Sequence, residues 1–417
     1  MGIMYDLGIR LLGLAIFLGG LFHQKTRKRW KLQQAWKDLL PHGPVDLWMH
    51  CASLGEFDQG LPLLWEYRKT FPEARILVSF FSPSGYDHYA KRHHCADVVC
   101  VLPLDTRKNA RYFIQHTQPK AAVIIKYEFW LNFISALDTA QVPCYSVAAV
   151  FRKKQVLFSF YGGVFRQGLR RVTQFFVQNE ASLTLLKSIG IEQVTVVGDP
   201  RFDNVLLQKA QRSIRPTTSE SMEKLRIICH NKRVLVVGSS WEKEEELVHE
   251  CLEQLDFEIL LIAPHNVDAA HVESLEFLMG EDCHRLSQLE RYSHERVIII
   301  DSIGLLQELY SLGTLAIVGG GFRGQLHNIL EPAVYGLPIM FGPKFEKFPE
   351  AQGFLDAGIA VSFHDGPSLL KGIEFFMKSI ENQQYKTLEY IDAHQGATKK
   401  IMAFLVNTDG HSVVPAN

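Results

Sequence analysis

Short apolar runs alternate with longer segments of helical spacing along most of the chain. The runs are apolar almost throughout, which is typical of parallel strands covered on both faces. In the first half they occupy residues 46–51, 75–81, 98–104, 121–126, 144–150, 174–178 and 194–198. In the second half they occupy residues 233–239, 258–264, 296–301, 314–320, 338–342 and 359–363. The pattern predicts an α/β protein with two doubly wound, Rossmann-like parallel sheets in tandem.

The two sets of runs are separated by residues 208–232, a less regular segment with Pro216 among serines and threonines. We interpret this segment as a linker. It would join an N-terminal domain of residues 25–207 to a C-terminal domain of residues 233–417, which ends in helices. Such sheets bind ligands at the carboxyl ends of their strands, so an inter-domain cleft is the expected substrate site.

Residues 1–24 have the character of an N-terminal membrane anchor. Leu11–Phe22 carries no charge, but a spanning helix needs about 20 apolar residues, so this run suits an interfacial anchor better. A basic cluster between Lys25 and Lys37 follows, interleaved with two tryptophans. That order favours attachment to anionic lipid on the cytoplasmic side. The alternative is a buried helix followed by a solvated one.

Composition and charge narrow the class of protein. The 417 residues are 47% hydrophobic and 21% charged, which excludes intrinsic disorder. The net charge of −1 argues against a protein that coats nucleic acid. The seven cysteines include no C-x-x-C pair, which favours a reducing cytosol over a disulfide framework. His93, His94 and Cys95 form a possible ligand set, but a surface helix end is the favoured interpretation.

Candidate catalytic groups follow two strands of the first half. Glu56 comes shortly after the first run, where it is either a helix-start acid or a catalytic base. Lys126 and Glu128 follow the fourth run and either line the cleft or form a structural ion pair.

Basic groups follow in the same half. Arg201, in a turn after the seventh run, either binds phosphate or carboxylate or pairs with a neighbouring aspartate. An acid-free, aromatic-rich segment contains Arg152, Lys153 and Lys154, and it suits an anionic amphiphile or a membrane surface. A solvated helix face is the alternative.

The second half contains a glycine run, Gly319–Gly324, that matches G-x-G-x-x-G. A dinucleotide site requires this motif in the first βα turn of its unit, whereas here it follows the fourth run, so we disfavour NAD binding. Close approach of backbone to a ligand is the preferred interpretation. The segment His327–Pro332 comes next, and its amides would face an anion while its glutamate accepts ribose hydroxyls.

Taken together these motifs resemble the 3-deoxy-D-manno-octulosonic acid (Kdo) transferases of lipopolysaccharide assembly, over nearly the whole chain. The resemblance rests on S-L-G-E at 53–56, P-L-D at 103–105, E-F-W-x-N at 128–132, G-D-P-R-F-D at 198–203 and G-G-G-F with H-N-I-L-E-P at 319–332. It implies the GT-B architecture and an inverting, metal-independent glycosyltransferase without a cofactor. The donor would be CMP-Kdo and the acceptor a phosphorylated, lipid IVA-like lipid A precursor at the cytoplasmic face of the cell inner membrane.

Residue roles follow from the same resemblance. Glu56 matches the general base, and Arg201 stands where the family usually has a Lys that stabilises developing charge. The positions that match CMP binding are Pro264, His265, Ile303, Gly304, Leu305, Asn328, Ile329, Leu330 and Glu331.

Two positions depart from the family pattern. Lys126 replaces an acid thought to assist the transition state, so either Glu128 takes over or Lys126 contacts the donor carboxylate. The family often has Arg where this chain has His265. A histidine at this position would hold the CMP phosphate less firmly, and its protonation would make CMP binding pH-sensitive. The competing hypotheses are another GT-B nucleotide-sugar:lipid transferase and a non-catalytic, membrane-associated GT-B binding protein.

Overall fold

The computed structural model describes residues 3–90, 95–214 and 219–408. These residues divide into two compact units, one of the described residues up to 204 and from 395 onward, and the other of those between 205 and 394. Each unit is built on a seven-stranded sheet in which all neighbouring strands are parallel. The expected α/β class with two doubly wound sheets is confirmed.

The first sheet has the strand order β3-β2-β1-β4-β5-β6-β7. Its strands are β1 Leu47–Cys51, β2 Ile76–Phe80, β3 Val98–Val101, β4 Ala121–Ile125, β5 Cys144–Ala149, β6 Gln174–Val177 and β7 Val194–Val196. The helices before and between these strands are α1 Ile3–Phe22, α2 Gln24–Ala35, α3 Leu54–Thr70, α4 Pro83–Tyr89, α5 Arg107–Thr117, α6 Leu131–Thr139, α7 Gly163–Leu169 and α8 Glu180–Lys187. Strand order reverses between β1 and β4, so the crevice for a ligand is expected where these two strands end.

The second sheet has the order β10-β11-β9-β8-β12-β13-β14, which reverses between β8 and β12. Its strands are β8 Val234–Ser240, β9 Ile259–Pro264, β10 Cys283–Arg285, β11 Val297–Ile299, β12 Leu315–Val318, β13 Ile339–Phe341 and β14 Ala360–Ser362. The remaining helices are α9 Pro200–Ile214, α10 Glu220–Cys229, α11 Glu242–Glu250, α12 Ala269–Met279, α13 Leu306–Tyr310, α14 Leu330–Ala333, α15 Pro349–Asp356, α16 Gly366–Met377, α17 Ile380–His394 and α18 Ala397–Thr408. The edge strand β10 was not expected, because its three residues carry no apolar run.

Two segments differ from the expected domain boundaries. Helix α18 packs in the first unit, since Ile401 and Leu405 are buried in the same hydrophobic cluster as strands β1 and β2. Part of the expected linker is helix α10, because Met222 and Leu225 are fully buried in the core of the second unit. Both segments therefore contribute spaced apolar side chains to a hydrophobic core, although polar residues lie between them in the sequence.

Helix α1 is anchored to the first unit at its N-terminal end. The Tyr5 hydroxyl donates a hydrogen bond to the Asp105 carboxylate, and Asp6 pairs with Arg107 at 3.0 Å. One face of the helix carries a stripe of exposed apolar side chains at Met4, Leu7, Leu11, Leu14, Leu18 and Leu21. By length and mean hydropathy, 1.6 over Met4–Phe22, the helix is able to cross a membrane, which is weak evidence for an anchor.

All seven cysteines are free. Six of them are buried and Cys283 is half-buried. His93 and His94 of the possible ligand set lie outside the described residues, and Cys95 is buried.

Candidate active site

Glu56 lies at the switch point of the first sheet, in the first turn of α3 directly after β1. Its carboxylate folds back and accepts a hydrogen bond of 2.6 Å from the Ala52 amide. Burial raises the pKa of Glu56, while the Ala52 amide and the nearby Lys126 ammonium act in the opposite direction. The carboxylate is therefore held in a defined orientation and is a stronger base than an exposed glutamate.

Lys126 and Glu128 follow β4, the neighbour of β1, and the charges of both interact with that of Glu56. Lys126 has a left-handed backbone with φ of +59°, a conformation that is costly for a non-glycine residue and is often found at functional sites. Burial raises the pKa of Glu128 to about 7, and the charge of Glu56 adds to that effect. The Trp130 indole and the Arg29 guanidinium oppose it.

The Trp130 side chain is held in place by a hydrogen bond to a buried histidine. Its indole N–H donates to His50 Nε2 at 3.3 Å. Burial lowers the pKa of His50 to about 3, so the ring is neutral and its Nδ1–H donates to Ser79, with 2.9 Å to the hydroxyl. The Phe81 ring packs on the indole with centroids 4.6 Å apart. The aromatic wall beside Glu128 is therefore fixed by hydrogen bonds and packing.

Two arginines act on Tyr127, the residue between Lys126 and Glu128. The pKa of Tyr127 is raised by burial and lowered by Arg152 and Arg201, which places both guanidinium groups in its electrostatic surroundings. Arg201 pairs with Asp199 at 2.6 Å, as one of the two sequence interpretations expected. Asp203 has a different role, since it accepts the amides of Gly396 and Thr398 at 2.6 and 2.7 Å and so holds the start of α18.

Lys153 and Lys154 are exposed in the turn after β5, next to Arg152. A separate basic cavity of about 630 Å³ opens between α5 and α6. Three arginines line it, Arg107, Arg111 and Arg171.

Arg29 was not among the residues that the sequence singled out as a candidate for the site. It lies on α2, and its guanidinium carbon is 3.4 Å from the centroid of the Phe81 ring. Only the tertiary packing of α2 reveals this placement, since in the sequence Arg29 is one of several basic residues.

The switch point of the second sheet carries a buried carboxylate, Glu244, in the first turn of α11. Its two oxygens accept hydrogen bonds from the Gly320 amide at 2.9 Å and the Trp241 amide at 3.2 Å. The glycine run packs against the chain's own backbone: a Cβ at Gly319 would lie 2.0 Å from the Ser239 carbonyl oxygen, and one at Gly321 would lie 2.5 Å from an amide nitrogen. These two glycines are therefore required by backbone packing, and close approach of this segment to a ligand stays a prediction.

The residues matched to CMP binding form two neighbouring groups in the second unit. His265, directly after Pro264, stacks on Trp241 with ring centroids 4.4 Å apart and lies 4.7 Å from His327. Burial and the charge of His265 lower the pKa of His327 to about 4. Sequence reasoning did not single out Trp241 as a candidate, although Trp241 directly follows strand β8 at the switch point of the second sheet. A position just after a strand is the signal that singled out Glu56.

The second group consists of residues just before α13 and at the start of α14. Ile303 is exposed, Gly304 has a φ of +90°, and Leu305 precedes α13. Asn328 donates to Glu331 at 3.2 Å and accepts the Leu330 amide at 3.2 Å. Ile329 and Leu330 are buried, so they position this turn from within the core.

No group of three or more His, Cys, Asp or Glu side chains is arranged to hold a metal ion within residues 3–90, 95–214 and 219–408.

Comparison with known proteins identifies relatives over most of the chain. Residues 22–204 match the family model described as 3-deoxy-D-manno-octulosonic-acid transferase (kdotransferase). The 3-deoxy-D-manno-octulosonic acid transferase of Rickettsia bellii is 25% identical over 366 residues, which cover 84% of each chain. The enzyme of the same name from Aquifex aeolicus is 27% identical, with 77% of this chain and 82% of the relative covered.

Among solved structures, a UDP-GlcNAc 2-epimerase from Neisseria meningitidis matches with a TM-score of 0.62 and 13% identity. The match covers 88% of this chain and all of that structure. At this identity the likeness supports the fold alone, a GT-B-like pair of Rossmann-like sheets.

Proposed function

We propose that this chain, which belongs to the Kdo transferase family, moves Kdo from CMP-Kdo to a lipid IVA-like lipid A precursor with inversion at the anomeric carbon. As a family member the chain is a glycosyltransferase of lipopolysaccharide biosynthesis, with a CMP-Kdo donor and a lipid acceptor. The inverting course, the identity of the lipid and the roles of individual residues are the new parts of this proposal. The observation that carries it is the half-buried charged cluster of Glu56, Lys126 and Glu128 at the switch point of the first sheet.

Glu56 acts as the general base. It takes the proton from the acceptor hydroxyl as that oxygen forms a bond to the anomeric carbon of Kdo. The bond between this carbon and the phosphate oxygen of CMP breaks, and its electron pair leaves with CMP. The Ala52 amide, 2.6 Å from Glu56, supports this role because it fixes the carboxylate without neutralising its charge.

Glu128 takes over from the acid that Lys126 replaces. Glycosyl transfer passes through a transition state with positive charge on the sugar ring, which a nearby carboxylate stabilises. Glu128 serves this purpose only when ionised, and its pKa of about 7 places that ionisation in the physiological range. Lys126 lowers the pKa of Glu56, so it keeps the base deprotonated.

Arg201 stabilises the negative charge that develops on the departing phosphate. Its pairing with Asp199 fixes the direction of its guanidinium group. The CMP moiety is assigned to the second unit, where His265 lies in a stacked group with Trp241 and His327 and where Glu331 is positioned to accept ribose hydroxyls.

The chain acts at the cytoplasmic face of the inner membrane and is anchored there by α1. The exposed apolar stripe of α1 supports an interfacial position, since both Tyr5 and Asp6 at its start are bound to polar groups of the first unit. Anionic membrane lipids are the expected partners of the cavity lined by Arg107, Arg111 and Arg171. The acceptor phosphates are expected at Arg152, Lys153 and Lys154.

A transfer assay tests the proposal. The protein, purified in detergent, is incubated with a tetra-acylated, bisphosphorylated lipid A precursor and CMP-Kdo generated in situ, and the products are resolved by mass spectrometry. A product heavier by one Kdo supports the proposal, and one heavier by two identifies a bifunctional enzyme.

The same assay separates the competing hypotheses. Inhibition by CMP and not by UDP is expected, whereas the reverse would favour a UDP-sugar transferase. Binding of CMP without any product would indicate a different acceptor or a non-catalytic binding protein.

A further inference from the structure

One basic residue in the electrostatic surroundings of Glu128 comes from outside the first sheet. Arg29 is carried by α2, the helix that follows the apolar helix α1. Its Nε and Nη2 atoms are buried and have no hydrogen-bond partner among the described residues. Buried N–H groups without a hydrogen-bond partner cost stability, so this placement of Arg29 calls for another explanation.

The position of α2 explains how Arg29 reaches the site. The Gln33 side chain donates to the Leu102 carbonyl at 2.7 Å and accepts the Leu104 amide at 2.8 Å, and Lys28 pairs with Asp87. These contacts hold α2 against the segments that follow β2 and β3. The Arg29 guanidinium thereby packs on the Phe81 ring, and the same ring packs on the Trp130 indole.

We infer that Arg29 is a positioning residue that keeps the Glu128 carboxylate ionised for the transfer reaction, supplied to the site by the helical hairpin of α1 and α2. The hairpin is fixed by Arg27, which donates to the Gly20 carbonyl at 3.0 Å, and by the Phe17 and Trp30 rings, 5.5 Å apart. The membrane-anchoring segment therefore forms part of the reaction centre. This inference rests on the proposed function.

The electrostatics agree with this role. The pKa of Arg29 is lowered to about 10 by burial, so it remains charged at neutral pH, and Glu128 opposes that lowering. The other titratable groups that face Glu128 are Glu56 on α3 and Cys51 at the end of β1. Glu56 raises the pKa of Glu128, and the Cys51 thiol stays neutral because burial raises its pKa. Arg29 is the guanidinium that offsets Glu56.

Direct titration of Glu128 tests the inference without relying on activity. The full chain is labelled with carboxyl-¹³C glutamate, and the Glu128 signal is assigned by its loss in Glu128→Gln. In Arg29→Gln we expect the pKa of Glu128 to rise by about one unit, because a nearby opposite charge typically lowers a carboxyl pKa by that amount or more. Arg29→Lys retains most of the charge and is expected to restore the wild-type titration.

Lys31→Gln is the matched control, since it removes one positive charge from the exposed face of the same helix. It is expected to leave the titration unchanged. Phe81→Leu removes the ring under the guanidinium and provides a second variant, with a smaller upward shift expected. Wild-type titration in both Arg29→Gln and Phe81→Leu would overturn the inference.

The acid limb of the pH–rate profile is expected to move upward with the titration in Arg29→Gln. If the pKa of Glu128 shifts while the wild-type protein transfers no Kdo, only the proposed function fails. If Kdo is transferred and the pKa does not shift, only the role of Arg29 fails.

Discussion

Two glutamates at the switch points of the two sheets, Glu128 and Glu244, differ in how their charge is stabilised. Burial raises the pKa of both. In Glu244 this rise in pKa is opposed by hydrogen bonds from backbone amides, among them those of Gly320 and Trp241 at 2.9 and 3.2 Å. In Glu128 the rise in pKa is opposed by the Trp130 indole and the Arg29 guanidinium.

The difference indicates which carboxylate is available for chemistry. The oxygens of Glu244 are occupied by fixed backbone donors, and the residue joins α11 to the glycine run. Glu128, with Glu56 beside it, keeps a charge that is poorly compensated by the protein and can respond to a substrate. Burial alone therefore does not identify a reactive acid.

The largest effect is expected for Glu56→Gln, which removes the proposed base and keeps the shape of the side chain. Transfer should fall by about 10³-fold, within the range typical of a general base. Binding of CMP, measured by calorimetry, should be unchanged. Glu66→Gln on the same helix is the control, and a comparable loss there would mean that α3 tolerates no such change.

Glu128→Gln should reduce transfer by about 10²-fold, a typical electrostatic contribution, and should also stabilise the fold at pH 8. The folded chain holds this proton up to about pH 7, whereas an unperturbed glutamate releases it near 4.5, so stability is lost as pH rises between these values. The gain at pH 8 should be about 3 kcal/mol and should vanish below pH 4.5. Thermal unfolding at both pH values measures it, and destabilisation at pH 8 would contradict the comparison.

Glu244→Gln should have the opposite effect on stability. An amide cannot accept from all the backbone donors that now bind the carboxylate, so unfolding should become easier by about 1–3 kcal/mol. Hydrogen exchange at the Gly320 amide provides a local measurement. Unchanged stability and exchange would show that Glu244 is as weakly bound as Glu128.

The smallest effect is expected for Lys126→Met. The ammonium lowers the pKa of Glu56, so its loss should move the acid limb of the pH–rate profile upward by less than about one unit. At pH 8 the rate should change by less than about tenfold. Arg201→Lys keeps its charge and serves as the comparison, and a limb that moves downward in Lys126→Met would contradict the assigned electrostatic effect of Lys126 on Glu56.

Much of the fold was predictable from the sequence, because a buried parallel strand must be apolar on both faces. Strand β10 was missed, since an edge strand of Cys283–Arg285 has no such requirement. The placement of α18 in the first unit was not predictable either. It depends on Asp203 binding the amides of Gly396 and Thr398, a contact between residues almost 200 positions apart.

The site was predictable where it follows a strand end. Glu56, Lys126 and Glu128 were found because carboxyl ends of adjacent parallel strands meet at one edge. Arg29 was not, because its role depends on the packing of α2 on Phe81. The cleft between the two sheets and the absence of a metal or cofactor stay predictions.

The pH dependence of kcat/KM for Kdo transfer by the wild-type protein tests the central claim most directly. If Glu56 and Glu128 are the reacting carboxylates, the profile should fall on its acid side with an apparent pKa near 7 that belongs to the coupled pair. A rate that stays constant from pH 8 down to about pH 5, the range of an ordinary glutamate, would contradict the account.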